Sequence, residues 1–279
     1  MEHDHPFPIV GIGASAGGVE ALEGLFRAMP TDSGMAFIVV THLAPERESL
    51  IAEIIGRCTK TPASEVRDGA AIEPNHIYTL QPGTLLTIAN SRLQVRPVNA
   101  AHRERNPIDI FLASLADDRG AGAVGIILSG SGSDGTLGVK AIKAHGGFTI
   151  AQGPDGIQRH PGMPDSAIAT GFVDLVLPVE KMAAALVDYV QTAAPLGDLT
   201  DDREMREDAR LEEARRAITT ILRNQIGHDF RGYKHNTFLR RVQRRMQALR
   251  LADIKDYVQH LHQDRVEATL LFRDLLTTC

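Results

Sequence analysis

The apolar positions of this chain change their period along its length. Short apolar runs at Pro8–Gly13, Ala36–Thr41, Ala123–Ser129, Phe148–Ala151 and Val173–Leu177 have the length and near-continuous apolar character of strands buried on both faces. Between them, apolar residues recur at helical spacing over Gly18–Met29, Ser49–Cys58, Pro107–Ala116, Thr136–His145 and Val179–Val190. Strand and helix in alternation predict an α/β fold: a doubly wound, mostly parallel sheet with helices on both faces. Residues 76–97 break the rhythm. There HIYTLQPG and TLLTIANSRLQV predict an antiparallel excursion that turns at Ala89-Asn90-Ser91.

Past residue 195 the strand pattern is gone. Helical spacing predicts helices over Arg203–Arg223, Asn236–Leu249, Asp253–His262 and Val266–Leu276, a small all-α domain. The change comes at AAPLGDLTDD (193–202), where Pro195 and Gly197 break the preceding pattern. The expected organisation is an α/β domain over 1–195, a charged linker or helix over 196–222, and a helical domain over 223–279. No internal repeat or low-complexity segment interrupts it.

Charge sharpens this division. The net charge of −5 is the sum of −7 over residues 1–195 (14 Lys/Arg, 21 Asp/Glu) and +2 over the rest (16 against 14). From Ala214 to Arg250 there are 10 basic residues and a single acid, Asp229. Arg240, Arg241, Arg244 and Arg245 fall in pairs four apart. They are expected to line one solvent face, with Leu239, Val242, Met246 and Leu249 turned to the core. Such a face is either solvated or a dock for an acidic partner. Nucleic acid is disfavoured by the acidic whole and the few interleaved aromatics.

Composition removes other classes. With 43% apolar and 23% charged residues over 279 positions, wholesale disorder is excluded. No apolar run approaches the ~18 residues of a membrane span, and MEHDHPFPIV lacks a secretory pattern. Cys58 and Cys279 make neither a disulfide framework nor a metal-ligand set. A cytoplasmic protein with no metal, no cofactor and no membrane insertion is expected.

The most informative stretch is Gly11-Ile-Gly-Ala-Ser-Ala-Gly-Gly18, after a strand and opening a helix. As a dinucleotide fingerprint it is imperfect, reading G-x-G-x-x-x-G, and the second strand ends in His42 where that motif expects an acid. As G-x-S-x-G around Ser15 it fits a nucleophile turn, in which small flanking residues lift a hydroxyl above the sheet edge. A plain Gly-rich turn is the bland alternative. His42 would bring a base to the neighbouring strand end, the edge where open α/β sheets place ligands. The loop Leu128-Ser-Gly-Ser-Gly-Ser-Asp134-Gly135 follows a third strand. Asp134 is there either a helix cap before Thr136 or the orienter of His42. No Gly-Lys-Ser/Thr follows, so this is no Walker loop.

Taken together, GIGASAGG, VVTHLAP, NPIDIFLASLA, GIILSGSGSDGTLG, the AQ of Thr149–Gln152, and GMPDSAI resemble the catalytic domain of chemotaxis protein-glutamate methylesterases. The resemblance covers nearly all of residues 1–195, in order. It implies hydrolysis of γ-glutamyl methyl esters on methyl-accepting chemoreceptors or related signalling proteins, and deamidation of some glutamines. It carries nucleophile, base and orienter onto Ser15, His42 and Asp134. That family often has threonine at the position of Ala16 and methionine at the position of Ser131. Backbone N–H groups of Ala16 and Ser131 would still form an oxyanion hole. A phosphorylatable receiver domain is not expected in this chain. From Arg223 onward, GHDFRGYKHNTFLRRVQRRM, LADIKDYVQHL and ATLLFRDLL resemble the helical N-terminal domain of chemotaxis receptor methyltransferases. That resemblance implies contact with acidic receptor helices through the arginines. Without the α/β domain of such enzymes, no S-adenosylmethionine binding or methyl transfer is expected, as in a truncated esterase–methyltransferase fusion.

Overall fold

The structure is a computed structural model that describes residues 7–15, 17–41, 50–98, 106–154, 158–192, 201–228, 230, 233 and 235–276. For 192, 201–209, 235–237 and 240 it describes the backbone alone. In chain order the elements are β1 (Ile9–Ala14), α1 (Gly18–Ala28), β2 (Ala36–Thr41), α2 (Ile51–Cys58), β3 (Ala63–Glu65), β4 (His76–Thr79), β5 (Thr84–Ala89) and β6 (Arg92–Pro97). There follow α3 (Pro107–Arg119), β7 (Ala123–Ile127), α4 (Thr136–Ala144), β8 (Phe148–Gln152), α5 (Gly162–Ala169), β9 (Leu175–Leu177) and α6 (Val179–Thr192). The last four are α7 (Asp201–Ile226), α8 (His235–Ala248), α9 (Ile254–Gln263) and α10 (Arg265–Leu276). The chain divides into two compact units, Met1–Ala184 and Ala185–Cys279. The predicted boundary near residue 195 lies outside the described residues.

In the first unit seven strands form one parallel sheet in the order β3-β4-β2-β1-β7-β8-β9. The chain winds one way from β1 through β2, then the other way from β7 through β9. Right-handed crossovers therefore put α1 and α4 on opposite faces, the doubly wound arrangement that the alternating pattern predicts. β1, β2, β7 and β8 are buried along their whole length, which is why they read as continuous apolar runs rather than alternating ones. Gly11 and Gly13 let α3 lie close against β1. A Cβ at Gly11 would stand 2.7 Å from Leu112 Cδ2, and one at Gly13 would strike Ile108 Cγ2. These two glycines are accounted for by packing.

Two parts of the unit depart from the expected pattern. His76–Thr79 is not antiparallel; it joins the main sheet as β4, parallel to β2. Only β5 and β6 form the hairpin, turning through Asn90 and Ser91 at φ of 51° and 60°, the left-handed pair that a two-residue hairpin turn demands. The three-residue β3 and the helix α5 carry too few periodic positions to have been anticipated.

The second unit is helical, as predicted. Its core joins Ile218, Ile221 and Leu222 of α7 to Phe238, Val242 and Met246 of α8, Tyr257 and Leu261 of α9, and Leu271 and Leu275 of α10. The arginines of α8 correct the sequence reading. Arg241, Arg244 and Arg245 are 1%, 6% and 2% exposed, so they line no solvent face. The side chain of Arg240 lies outside the description. Arg245 makes a bidentate pair with buried Glu267 of α10, at 2.9 Å from Nε and 2.6 Å from Nη2. The Tyr257 hydroxyl donates to the same carboxylate at 2.9 Å. Burial, and then the Glu267 charge, push the Tyr257 phenol well up. The reason for the inversion is on α10. Glu267 and Asp274 stand two turns apart on the face that also carries Leu271, and both are buried. An acid repeated at that spacing within an apolar stripe was the signal that the arginines face inward.

Removing one partner of a buried ion pair strands the other, at a cost of about 3–5 kcal/mol. Glu267→Ala is therefore expected to lower the urea midpoint of the helical unit steeply, followed by circular dichroism. A midpoint unchanged from the parent would mean that Arg245 is solvated without its carboxylate.

Candidate active site

The strand order reverses between β1 and β7, so the carboxyl ends of these two strands open onto the switch-point crevice of the sheet. Ser15 stands there, immediately after β1 and half-buried. The strands pair from Ile9↔Ala123 to Gly13↔Ile127, and their ladder continues beyond the strand ends. Leu128 N donates to Gly13 O at 2.9 Å, and Ser15 N donates to Ser129 O at 3.0 Å. Ser15 O then accepts from Gly18 N at 2.9 Å as α1 begins. Gly17, at φ 72°, supplies the left-handed residue that this sharp turn requires. The backbone of Ser15 is thus fully used, while its Oγ has no hydrogen-bond partner among the described residues. Gly130 adjoins it so closely that a Cβ there would stand 2.9 Å from Ser15 Cβ and strike Met163 Sδ.

Asp134, 6% exposed, lies in the loop after β7. Its Oδ2 accepts from Ile108 N at 3.0 Å, and its Oδ1 from Asp109 N and Gly135 N at 2.9 Å each. It therefore sits at the amino end of α3, where a carboxylate is favoured by the helix dipole. Asp109 returns the favour, accepting from Gly138 N in the first turn of α4 at 2.8 Å. Each acid holds the start of the other's helix. Burial, with a smaller contribution from the Asp134 charge, raises the Asp109 carboxyl above its ordinary range against the pull of its backbone donors. The sequence reading of Asp134 as the cap before Thr136 is therefore corrected: its carboxylate caps α3 rather than α4, and Asp109 serves the first turn of α4. Capping α3 leaves open a further role, since Asp134 also has interactions beyond these three.

The remaining sequence-derived site residues are distributed as follows. Thr41, the last residue of β2, pairs with Ala14, the last of β1; His42 itself lies outside the described residues, as does Ala16. Ser131 is in the exposed bend between β7 and α4, and its N–H has no partner among the described residues.

Three residues without an assigned role also meet here. Buried Ser129 donates its N–H to Gln152 Oε1 at 2.8 Å. Its hydroxyl accepts from His160 N at 3.1 Å and contacts His160 O at 3.2 Å. Gly130 N donates to the same carbonyl at 2.9 Å, and Met163 N closes the contact to Gly130 O at 2.9 Å. The segment at His160 therefore borders the Ser15 turn: a Cβ at Gly17 would stand 3.1 Å from His160 Cδ2. The sequence signal for Gln152 was the AQ stretch and for Ser129 the GIILSGSGSDGTLG stretch, whereas His160 falls in none of the stretches that carry the resemblance. No helix among the described residues is long and apolar enough to cross a membrane.

Comparison with known proteins agrees with this architecture. The family model for CheB methylesterase matches residues 10–186, and that for the all-alpha domain of CheR methyltransferase matches residues 213–276. A 104.1 kDa protein of Rhodobacter capsulatus is 36% identical over 243 residues, which are 81% of this chain and 25% of that protein. Protein-glutamate methylesterase/protein-glutamine glutaminase 2 of Burkholderia lata is 35% identical over 198 residues, covering 68% of this chain and 56% of its own length. This chain thus spans between a quarter and a little over half of these relatives. The crystal structure of the Thermotoga maritima CheB methylesterase catalytic domain superposes with a TM-score of 0.60 at 27% identity, over 65% of this chain and 98% of that domain. With the family match extending over well more than half of its residues, the chain belongs to the CheB methylesterase family, and a CheR-type all-alpha domain follows in the same polypeptide.

Proposed function

We propose that the α/β unit hydrolyses glutamyl methyl esters on chemoreceptors or related signalling proteins, with Ser15 as nucleophile, His42 as base and Asp134 as its orienter. One observation carries this reading above the others. The β1–β7 register brings the Ser15 turn and the Asp134 loop to adjoining strand ends at the switch point of the sheet. The likeness to proteins named methylesterase and glutaminase supports the substrate class, and extends the proposal to glutamine side chains.

In the proposed reaction Ser15 Oγ attacks the ester carbonyl carbon as His42 takes its proton. The developing oxyanion is held by the N–H groups of Ala16 and Ser131. The carbon–oxygen bond to methoxide then breaks, and His42 returns the proton so that methanol leaves. Water, activated by the same imidazole, cleaves the acyl-serine to give the glutamate carboxylate and free Ser15. With glutamine the leaving group is ammonia.

Methanol release from a methylated receptor fragment tests the reading. Ser15→Ala, His42→Ala and Asp134→Asn are each expected to lower the rate by orders of magnitude. Double variants should be little worse than the worst single, since the three act as a unit. Full activity of Ser15→Ala would end this reading, and would favour a non-catalytic module that keeps the fold.

The same residues should separate in stability. Ser15 Oγ holds nothing together among the described residues, whereas Asp134 starts α3. Asp134→Ala is expected to lose about 1–2 kcal/mol in denaturant unfolding, the ordinary cost of a lost cap, and Ser15→Ala close to none. Equal stability of the two variants would contradict the capping role.

A further inference from the structure

We infer that Gln152 is a positioning residue for the nucleophile, acting through Ser129; the inference rests on the esterase reading of Ser15. Gln152 is the last residue of β8 and fully buried. An amide side chain is costly in such a place unless it forms hydrogen bonds that the fold needs. Here the need is specific. The β7–β8 pairing ends at Ile127↔Ala151, two residues short of Ser129. On its other edge β8 goes on pairing with β9, where Gly153 N donates to Leu177 O at 2.8 Å. Past the last paired residues, buried Ser129 N–H donates to Gln152 Oε1 at 2.8 Å. The side chain takes the place of a ladder acceptor there.

What Gln152 fixes on one side of the Ser129 peptide is read on the other. Ser129 O accepts the N–H of Ser15 at 3.0 Å, so the peptide unit that meets Gln152 at one end lies one residue from the carbonyl that holds the nucleophile. Ser129 Oγ in turn holds His160 N at 3.1 Å. The backbone oxygen of Gln152 accepts from Gln158 Nε2 at 3.1 Å, which ties the same segment from a second side. The Gln152 side chain meets the backbone of Ser129, not the reacting hydroxyl. Its effect belongs in the placement of Ser15, hence in the chemical step rather than in substrate affinity, and small displacements of that kind cost ~10²-fold in rate.

The test is steady-state hydrolysis of a short peptide bearing one glutamyl γ-methyl ester by the full chain. Gln152→Leu, which has no acceptor, is expected to lower kcat at least tenfold with KM within about twofold, whereas Gln152→Glu, which keeps the acceptor, should retain most of kcat. Should Gln152→Leu not fold, Gln152→Asn replaces it: one methylene shorter, it falls short of Ser129 N and should lose kcat while the Glu variant keeps it. A folded Leu variant with parental kcat overturns the inference, as does equal loss in the Leu and Glu variants. A rise in KM alone also overturns it. A parent chain inactive on the ester removes the esterase reading itself, and the inference with it.

Discussion

The site depends on one hydrogen-bond ladder that outlasts its strands. Parallel pairing between β1 and β7 continues for two further steps, through Leu128 N to Gly13 O and Ser15 N to Ser129 O. Without those steps the serine would sit on a free Gly-rich turn. With them it has a fixed backbone and a hydroxyl with no hydrogen-bond partner among the described residues, at the point of the sheet where the winding direction reverses. The glycines around it serve that end in different ways. Gly11 and Gly13 admit α3 against the strand, Gly17 makes the turn, and Gly130 leaves room for Ser15 and Met163. The G-x-G of the sequence is thus accounted for by packing against α3.

The second constraint is electrostatic. Asp134 and Asp109 are buried acids at the amino ends of α3 and α4, each satisfied by backbone N–H groups of the other's helix or loop. Such a carboxylate is held in one orientation by donors that cannot leave, and an orienting acid in a triad needs that kind of rigidity. Cap and proposed orienter are therefore compatible roles for one side chain. A substitution there carries a stability cost along with a functional one.

The sheet was legible because its central strands are buried on both faces and their helices amphipathic. Short elements were not. β4 was read into the hairpin because HIYT precedes it in sequence, and pairing partners across the chain do not show in periodicity. The positions of Ser15 and Asp134 were legible because each follows a strong strand, directly for Ser15 and through a Gly/Ser-rich loop for Asp134. Gln152, Ser129 and His160 were not, because their importance lies in which backbone groups they meet, and no spacing encodes that. The arginines of α8 were misread for a related reason. A charged stripe on one helix reads as solvent-facing until the acids of another helix are placed against it, and Glu267 lies 22 residues beyond Arg245 in sequence. Three of these side chains are buried inside the helical unit, one of them, Arg245, paired with that acid.

The central claim is that Ser15 is an activated nucleophile, and covalent labelling tests it most directly. The full chain, treated with a fluorophosphonate and mapped by peptide mass spectrometry, is expected to carry one adduct, on Ser15, and to carry none when His42 is changed to alanine. An unlabelled Ser15 in the parent chain, or labelling of Ser15 undiminished in the His42→Ala variant, would contradict the account.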